Sequence, residues 1–121
     1  MRRESATVQE LAQVGLLAGL SGEVLGKLGE RMGRMELRPG QRVVTEGEDG
    51  DVFYVVLSGL LNASQEDRGV RTVLRPGDYF GEVALLMDVP RTASVQAVTP
   101  AVVAGCDRGA FDEFVRPLFT S

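Results

Sequence analysis

The sequence lacks histidine entirely and contains a single cysteine among its 121 residues. Without histidine, histidine-based catalysis and histidine-ligated metal sites are excluded, and Ser58, Ser64 and Ser94 have no histidine base to activate them. The lone Cys106 permits no internal disulfide and fits a reducing compartment, so we expect a cytoplasmic protein. We therefore expect neither an enzyme nor a metal or cofactor site.

Long apolar runs and excess positive charge are also missing. No apolar stretch approaches the roughly 20 residues of a membrane span, and residues 1–3 do not begin the apolar run of a signal peptide. Membrane insertion is therefore not expected. The net charge of −4 argues against direct binding to nucleic acid. The 44% hydrophobic and 25% charged residues are ordinary for a soluble globule, and the length predicts a single domain over residues 1–121.

Helical patterns occupy the N-terminal part of the chain. Residues 1–6 are polar and are expected to be disordered. Thr7 and Glu10 have the spacing of a capping box, and the apolar residues that follow predict a helix to about Leu17. Ser21 can cap a second helix, whose apolar stripe would face the core.

From Met35 onward the hydrophobic period changes to two, with turn residues about every eight to twelve positions, as in a β-sandwich or barrel. The run 52–57 is apolar on both faces and predicts a central, covered strand. The acidic, glycine-bearing loop 46–51 lacks the spacing of a calcium loop and is interpreted as a solvated turn. Asp107 can cap a last helix, which Pro117 is predicted to end.

The stretch 80–95, FGEVALLMDVPRTASV, has the clearest binding chemistry. Glu82 and Arg91 lie among apolar and small residues, where a charge is costly unless it meets a partner. Arg91 offers a planar, permanently charged fork suited to a phosphate or carboxylate, and Glu82 can accept hydrogen bonds from a sugar hydroxyl. Gly81 lets a backbone approach a ligand closely, and the free N–H groups of a short helical turn after it favour an anion. An internal ion pair between Glu82 and Arg91 is the alternative interpretation.

The order Phe-Gly-Glu, apolar residue, Ala-Leu, spacer, Pro-Arg, two small residues and a β-branched residue resembles the phosphate-binding cassette of the cyclic-nucleotide-binding domain family. The resemblance covers about residues 14–115. It implies a mainly β fold with flanking helices, a jelly-roll-like β-roll with two N-terminal helices, a short cassette helix and a C-terminal helix. It also implies that Arg91 binds the cyclic phosphate and Glu82 the ribose 2′-hydroxyl. The other residues that would line the site are Gly81, Val83, Ala84, Thr92 and Ala93.

The resemblance implies a regulatory module that senses cAMP or cGMP without altering it. The alternative is a structural or interaction domain of the same fold that binds no nucleotide. In the family a longer C-terminal helix usually covers the base, whereas only residues 118–121 follow Pro117 here. Either an effector domain or partner protein supplies this lid, or the chain is a piece of a longer one, or the site is more open. Thr92 resembles the arrangement that holds guanine in cGMP, yet bacterial members with threonine here often bind cAMP, so both are expected to bind, with a weak preference for cAMP.

Overall fold

The computed structural model describes residues 4–120, and its centre is a pair of antiparallel β-sheets. The strands of this region are β1 (Gly33–Leu37), β2 (Arg42–Val44), β3 (Val52–Ser58), β4 (Leu61–Gln65), β5 (Gly69–Leu74), β6 (Tyr79–Phe80), β7 (Ser94–Ala97) and β8 (Ala101–Asp107). One sheet has the order β1-β8-β3-β6 and the other β2-β7-β4-β5. The predicted mainly β, jelly-roll-like fold with flanking helices is confirmed.

The helices pack outside this β-roll. They are α1 (Val8–Ala12), a 3₁₀ turn (Gly15–Leu17), α2 (Gly22–Glu30), α3 (Glu82–Met87) and α4 (Arg108–Ala110). After α4 the chain continues as a π-helical turn (Phe111–Val115) and a 3₁₀ turn (Arg116–Leu118). We call residues 108–118 the C-terminal segment.

Strand β3 separates two hydrophobic cores, as its doubly apolar sequence predicts. Phe53 and Val55 face the helices, where they are buried with residues of α1, α2, α3 and the C-terminal segment. Val56 faces the interior of the roll, where residues of both sheets meet. Because alternate side chains of a strand point to opposite faces, one strand supports both cores. Its neighbours β8 and β6 pair with it on either side.

The predicted helix starts are confirmed by their hydrogen bonds. The Thr7 hydroxyl accepts from the Glu10 N–H at 3.1 Å, and the Glu10 carboxylate accepts from the Thr7 N–H at 3.0 Å. The Ser21 hydroxyl accepts from the Val24 N–H at 3.2 Å, and the Asp107 carboxylate accepts from the Ala110 N–H at 2.9 Å. Each bond satisfies an N–H group that the first helical turn leaves without a backbone partner.

Two predicted helix ends are wrong. The first helix stops at Ala12 rather than near Leu17, because Val14 adopts an extended conformation (φ −84°, ψ 113°) before the separate 3₁₀ turn. Val14 and Leu17 are nevertheless fully buried. Pro117 does not end the last helix but lies within the 3₁₀ turn at residues 116–118. Proline is tolerated in a first helical turn, since the N–H group that it lacks would have no intrahelical partner there.

The N-terminus is more ordered than its polar sequence predicts. Ser5 forms a β-bridge with Gly33, and the Ala6 N–H donates to the Met32 carbonyl at 3.0 Å. Ala6 is buried, so the prediction of disorder is wrong for these two residues, whose backbone groups extend the edge of a sheet. Residues 1–3 of that prediction lie outside the described residues. None of the helices between residues 4 and 120 has the length and apolar character needed to cross a membrane.

Candidate ligand-binding site

A sharp turn at Gly81 connects β6 to α3 and sets the direction of the short helix. Gly81 has φ 95° and ψ −5°, a left-handed conformation that glycine adopts without a steric penalty. The N-cap residue Gly81 has no side chain to cap α3, and the Glu82 carboxylate accepts from its own backbone N–H, so the later N–H groups of the first turn lack a capping side chain. Asp88, also left-handed at φ 55°, ends the helix.

Arg91 is buried beneath this turn, with 8% of its surface exposed. Its Nη2 atom donates to the Val52 carbonyl at 3.0 Å and its Nη1 atom to the Gly81 carbonyl at 3.5 Å. Its backbone is held by the loop before β3, since the Gly47 N–H donates to the Arg91 carbonyl and the Arg91 N–H to the Glu48 carbonyl, both at 2.8 Å. Arg91 forms no salt bridge with any carboxylate within residues 4–120.

The electrostatic surroundings of Arg91 show an incompletely compensated charge. Burial lowers the pKa of Arg91, and the nearby Tyr54 and Asp51 oppose this shift. The guanidinium stays charged, because arginine is not deprotonated in proteins. Two neutral carbonyls therefore hold a buried cation that an anion could neutralise.

Glu82, the first residue of α3, has the opposite charge and an open hydrogen-bonding position. Its Oε2 atom is buried and has no hydrogen-bond partner among the described residues. Burial raises the pKa of Glu82, and a hydrogen bond from its own backbone N–H partly opposes the shift. No ion pair joins Glu82 to Arg91 among residues 4–120, so the internal ion-pair interpretation is wrong for this structure.

Both side chains line a cavity of about 200 Å³ at the junction of α3 with the roll, which we call the roll cavity. All the positions that the sequence predicts for the site line it: Gly81, Glu82, Val83, Ala84, Arg91, Thr92 and Ala93. Val83 and Thr92 are exposed and lie at its rim. The roll cavity is thus lined by a cation and a carboxylate, by the first residues of α3, and otherwise mostly by apolar residues.

Several site residues have no counterpart in the sequence prediction. Val44, Ala63, Leu74, Tyr79, Phe80 and Val95 complete the wall of the roll cavity. Val52 contributes the carbonyl that holds Arg91, and Gly50 lies against the guanidinium. Val44, Ala63 and Leu74 are distant along the chain from the stretch 80–95, whereas Tyr79, Phe80 and Val95 lie beside or within it, and all six resemble ordinary core positions. Only Gly50 gave a signal, since a glycine among the acids of loop 46–51 can mark a close approach as well as a turn.

A larger cavity of about 480 Å³ is also lined by Ala84. Its lining includes the carboxylates of Asp49, Asp51 and Asp88 against the single cation Arg108. This excess of negative charge disfavours an anionic ligand, so the larger volume does not mark an anion site. The buried cation Arg91 lines the roll cavity and not this larger one.

The C-terminal segment holds the far end of α3. Arg108 and Arg116 both donate to the Leu85 carbonyl, from Nη1 at 3.4 Å and from Nη2 at 3.1 Å respectively. Arg108 also pairs with Asp88 at 3.5 Å. A cation at the C-terminal end of a helix meets carbonyls that lack intrahelical partners. The helix that borders the roll cavity is therefore anchored directly to the C-terminal segment.

Comparison with known proteins finds relatives among cyclic-nucleotide-dependent protein kinases. The chain is 39% identical over 107 residues to the cAMP-dependent protein kinase regulatory subunit of Debaryomyces hansenii, covering 88% of this chain and 24% of that protein. It is 33% identical over 126 residues to the cGMP-dependent protein kinase egl-4 of Caenorhabditis briggsae, covering 99% of this chain and 17% of that protein. The regulatory domain of Toxoplasma gondii PKA, solved with cAMP, has a TM-score of 0.87 and 30% identity, over 92% of this chain and 44% of that chain.

These matches cover most of this chain but only a small part of each relative. The chain spans about a quarter of the length of the curated relatives, 24% and 29% for the first two. A family profile described as the cyclic nucleotide-binding domain matches residues 34–117, which include all the strand residues except Gly33 and all of the roll cavity. The chain belongs to the cyclic nucleotide-binding domain family.

Proposed function

We propose that this domain is a regulatory module that binds a cyclic nucleotide, cAMP or cGMP, in the roll cavity. The observation that supports this most directly is the pair of incompletely satisfied groups in one cavity. Arg91 forms no salt bridge within residues 4–120, where Asp51 compensates its charge only in part, and the Glu82 Oε2 atom has no hydrogen-bond donor. A cyclic nucleotide offers an anion and a hydroxyl close together, so it can satisfy both groups at once.

The proposed roles follow from the chemistry of each side chain. The Arg91 guanidinium neutralises the cyclic phosphate, and the N–H groups at the start of α3 donate to the phosphate oxygens. The Glu82 carboxylate accepts a hydrogen bond from the ribose 2′-hydroxyl. Gly81 keeps the turn free of a side chain, while Val83, Ala84 and Ala93 pack against the sugar and base, and Thr92 lies beside the base at the rim.

We propose that the nucleotide leaves this module unchanged and that occupancy is read by other parts of the protein. Glu82 and Arg91 are committed to binding, and the sequence has no histidine for acid–base catalysis. An effector domain or partner protein would sense the C-terminal segment and supply a residue that covers the base. A cytoplasmic location fits the lone, buried Cys106, whose pKa burial raises to about 12 and which is therefore unreactive.

Calorimetric titration with cAMP and cGMP tests the proposal. Saturable binding of either nucleotide at one site per chain is the expected result. If neither nucleotide binds at millimolar concentration, the domain is a structural or interaction module of the same fold. Chromatography of the nucleotide after incubation would reveal a catalysed change if there were one.

Thr92 is expected to influence the choice between the two nucleotides. A hydroxyl at the rim can bond the guanine amino group, and one hydrogen bond contributes about 0.5–1.5 kcal/mol, or roughly 2- to 13-fold. Competition titration should therefore show both nucleotides binding with less than about a hundredfold selectivity, with cAMP weakly preferred. Thr92→Ala should lower the relative affinity for cGMP, whereas Thr72→Ala, at an exposed position on β5, should not. A thousandfold preference, or an unchanged ratio in Thr92→Ala, would contradict this role.

Ligand binding is expected to alter the C-terminal segment as well as the cassette. Leu85 is buried with Phe111 and Val115, and its carbonyl accepts hydrogen bonds from Arg108 and Arg116. A ligand that prefers one position of α3 therefore also selects one position of the segment. Hydrogen exchange with and without nucleotide should change at residues 107–117 and 80–95. Changes confined to 80–95 would indicate a binder without a switch.

A further inference from the structure

Gly50 lies against the guanidinium of Arg91 although the two residues are 41 positions apart. A Cβ atom at Gly50 would overlap Nε and Cζ of Arg91 and would lie 2.6 Å from Nη2. Nη2 is the atom that donates to the Val52 carbonyl. Any residue with a side chain at position 50 would thus occupy the space in which the guanidinium makes its shorter hydrogen bond.

A second glycine borders the guanidinium on another side. A Cβ atom at Gly81 would lie 2.8 Å from Nη1 of Arg91 and 2.9 Å from the Val52 carbonyl oxygen. Gly81 also has φ 95°, so a side chain there would strain the backbone at Gly81 as well as clash with these neighbouring atoms. Gly50 is not among the glycines with positive φ, so its backbone accepts alanine. Space for Arg91, and not backbone conformation, is what requires a glycine at position 50.

We infer that Gly50, which does not line the roll cavity, is a positioning residue for the phosphate-binding arginine. Its missing side chain creates the slot that holds the guanidinium against the Val52 carbonyl, beside the roll cavity that Arg91 lines. A methyl group at position 50 would displace the guanidinium from this slot. The clash involves the mobile end of a side chain, so the fold can persist while the site is lost. The predicted effect on nucleotide affinity rests on the proposed function, but the contact between the two residues does not.

Binding measurements on two matched glycine substitutions test this inference. Gly50→Ala is expected to weaken cAMP and cGMP binding by at least about 30-fold, the lower end of the loss for truncating one partner of a buried charge pair. Gly22→Ala is the control, because nothing lies within 4 Å of a Cβ atom added there. Its affinity should stay within about twofold of wild type. Binding by Gly50→Ala within the same twofold range would overturn the inference.

A thermal-melting cycle tests the same contact without ligand. Gly50→Ala should lower the melting temperature of the wild-type chain but not that of Arg91→Ala, where the overlapping atoms are gone. An equal loss in both backgrounds would overturn the inference. If Gly50→Ala alone fails to fold, recovery of folding in the double variant supports the inference, and failure to recover overturns it. If the wild type binds neither nucleotide, the proposed function fails and the melting cycle alone decides the role of Gly50.

Discussion

Arg91→Ala is expected to weaken the binding of cAMP and cGMP by roughly 30- to 4,000-fold, the largest effect of any single substitution in the site. Arg91 is 8% exposed, and the carboxylates in salt bridges within residues 4–120 pair with other cations. The phosphate would therefore be its main counter-ion. Truncating one partner of such a buried pair costs about 2–5 kcal/mol. Calorimetric titration of the variant beside the wild type measures the loss.

The ligand-free stability of the same variant should change little. The substitution removes hydrogen bonds to the carbonyls of Val52 and Gly81, which destabilises the fold, but it also removes a buried and incompletely compensated charge. Arg68→Ala is the matched control. Arg68 is an exposed arginine on the turn between β4 and β5, so this substitution removes the same charge outside the site. Normal binding by Arg91→Ala would contradict the assignment of the phosphate site. Failure of Arg91→Ala to fold would instead identify Arg91 as a structural residue.

Glu82→Ala is expected to weaken binding by roughly 10- to 150-fold and to remove the preference for ribose. A hydrogen bond to a charged group contributes about 1.5–3 kcal/mol, and the buried Oε2 atom has no partner within residues 4–120. Titration with cAMP and with its 2′-deoxy analogue separates this contact from general damage to the site. Wild type should prefer the ribose form, and Glu82→Ala should bind both forms equally. A variant that still discriminates strongly would show that another residue contacts the hydroxyl.

The pH dependence of binding gives an independent readout of the same carboxylate. Burial raises the pKa of Glu82 in the ligand-free protein, so the protonated form is favoured there relative to the unfolded chain. The stability that this shift contributes is present below the unfolded pKa and is lost as pH rises through the folded pKa. A 2′-hydroxyl donor favours the ionised form, so affinity should fall as pH drops through the raised pKa. Glu82→Gln should flatten this dependence and raise ligand-free stability at neutral pH.

The sequence could predict features that depend on a few neighbouring residues. The capping bonds of Thr7, Ser21 and Asp107 form within three residues of each donor, so local spacing was sufficient. The two faces of β3 follow from strand geometry in the same way. The site positions at 81–84 and 91–93 are also near one another along the chain and line one cavity, whereas the phosphate and hydroxyl roles that the family resemblance implies remain predictions.

Longer contacts overruled local patterns at both ends of the chain. The break after Ala12 lets Val14 and Leu17 enter the core, although their spacing would also suit one continuous helix. Pairing with Gly33 orders Ser5, whose polar surroundings predict disorder. Pro117 falls in a new 3₁₀ turn, where its missing N–H group costs nothing. At Val14, tertiary packing outweighs a helical preference of about 1 kcal/mol or less per residue.

The sequence by itself determined the chemistry of the site, because the charges of Glu82 and Arg91 and the freedom of Gly81 belong to the residues themselves. Only the tertiary structure decided that these two charges do not pair with each other and that they line one cavity. It also decided that Gly50 makes room for the guanidinium and that Arg108 and Arg116 hold the Leu85 carbonyl. These contacts join segments more than 20 residues apart. Local periodicity cannot predict such contacts, because they depend on how the sheets and helices pack together.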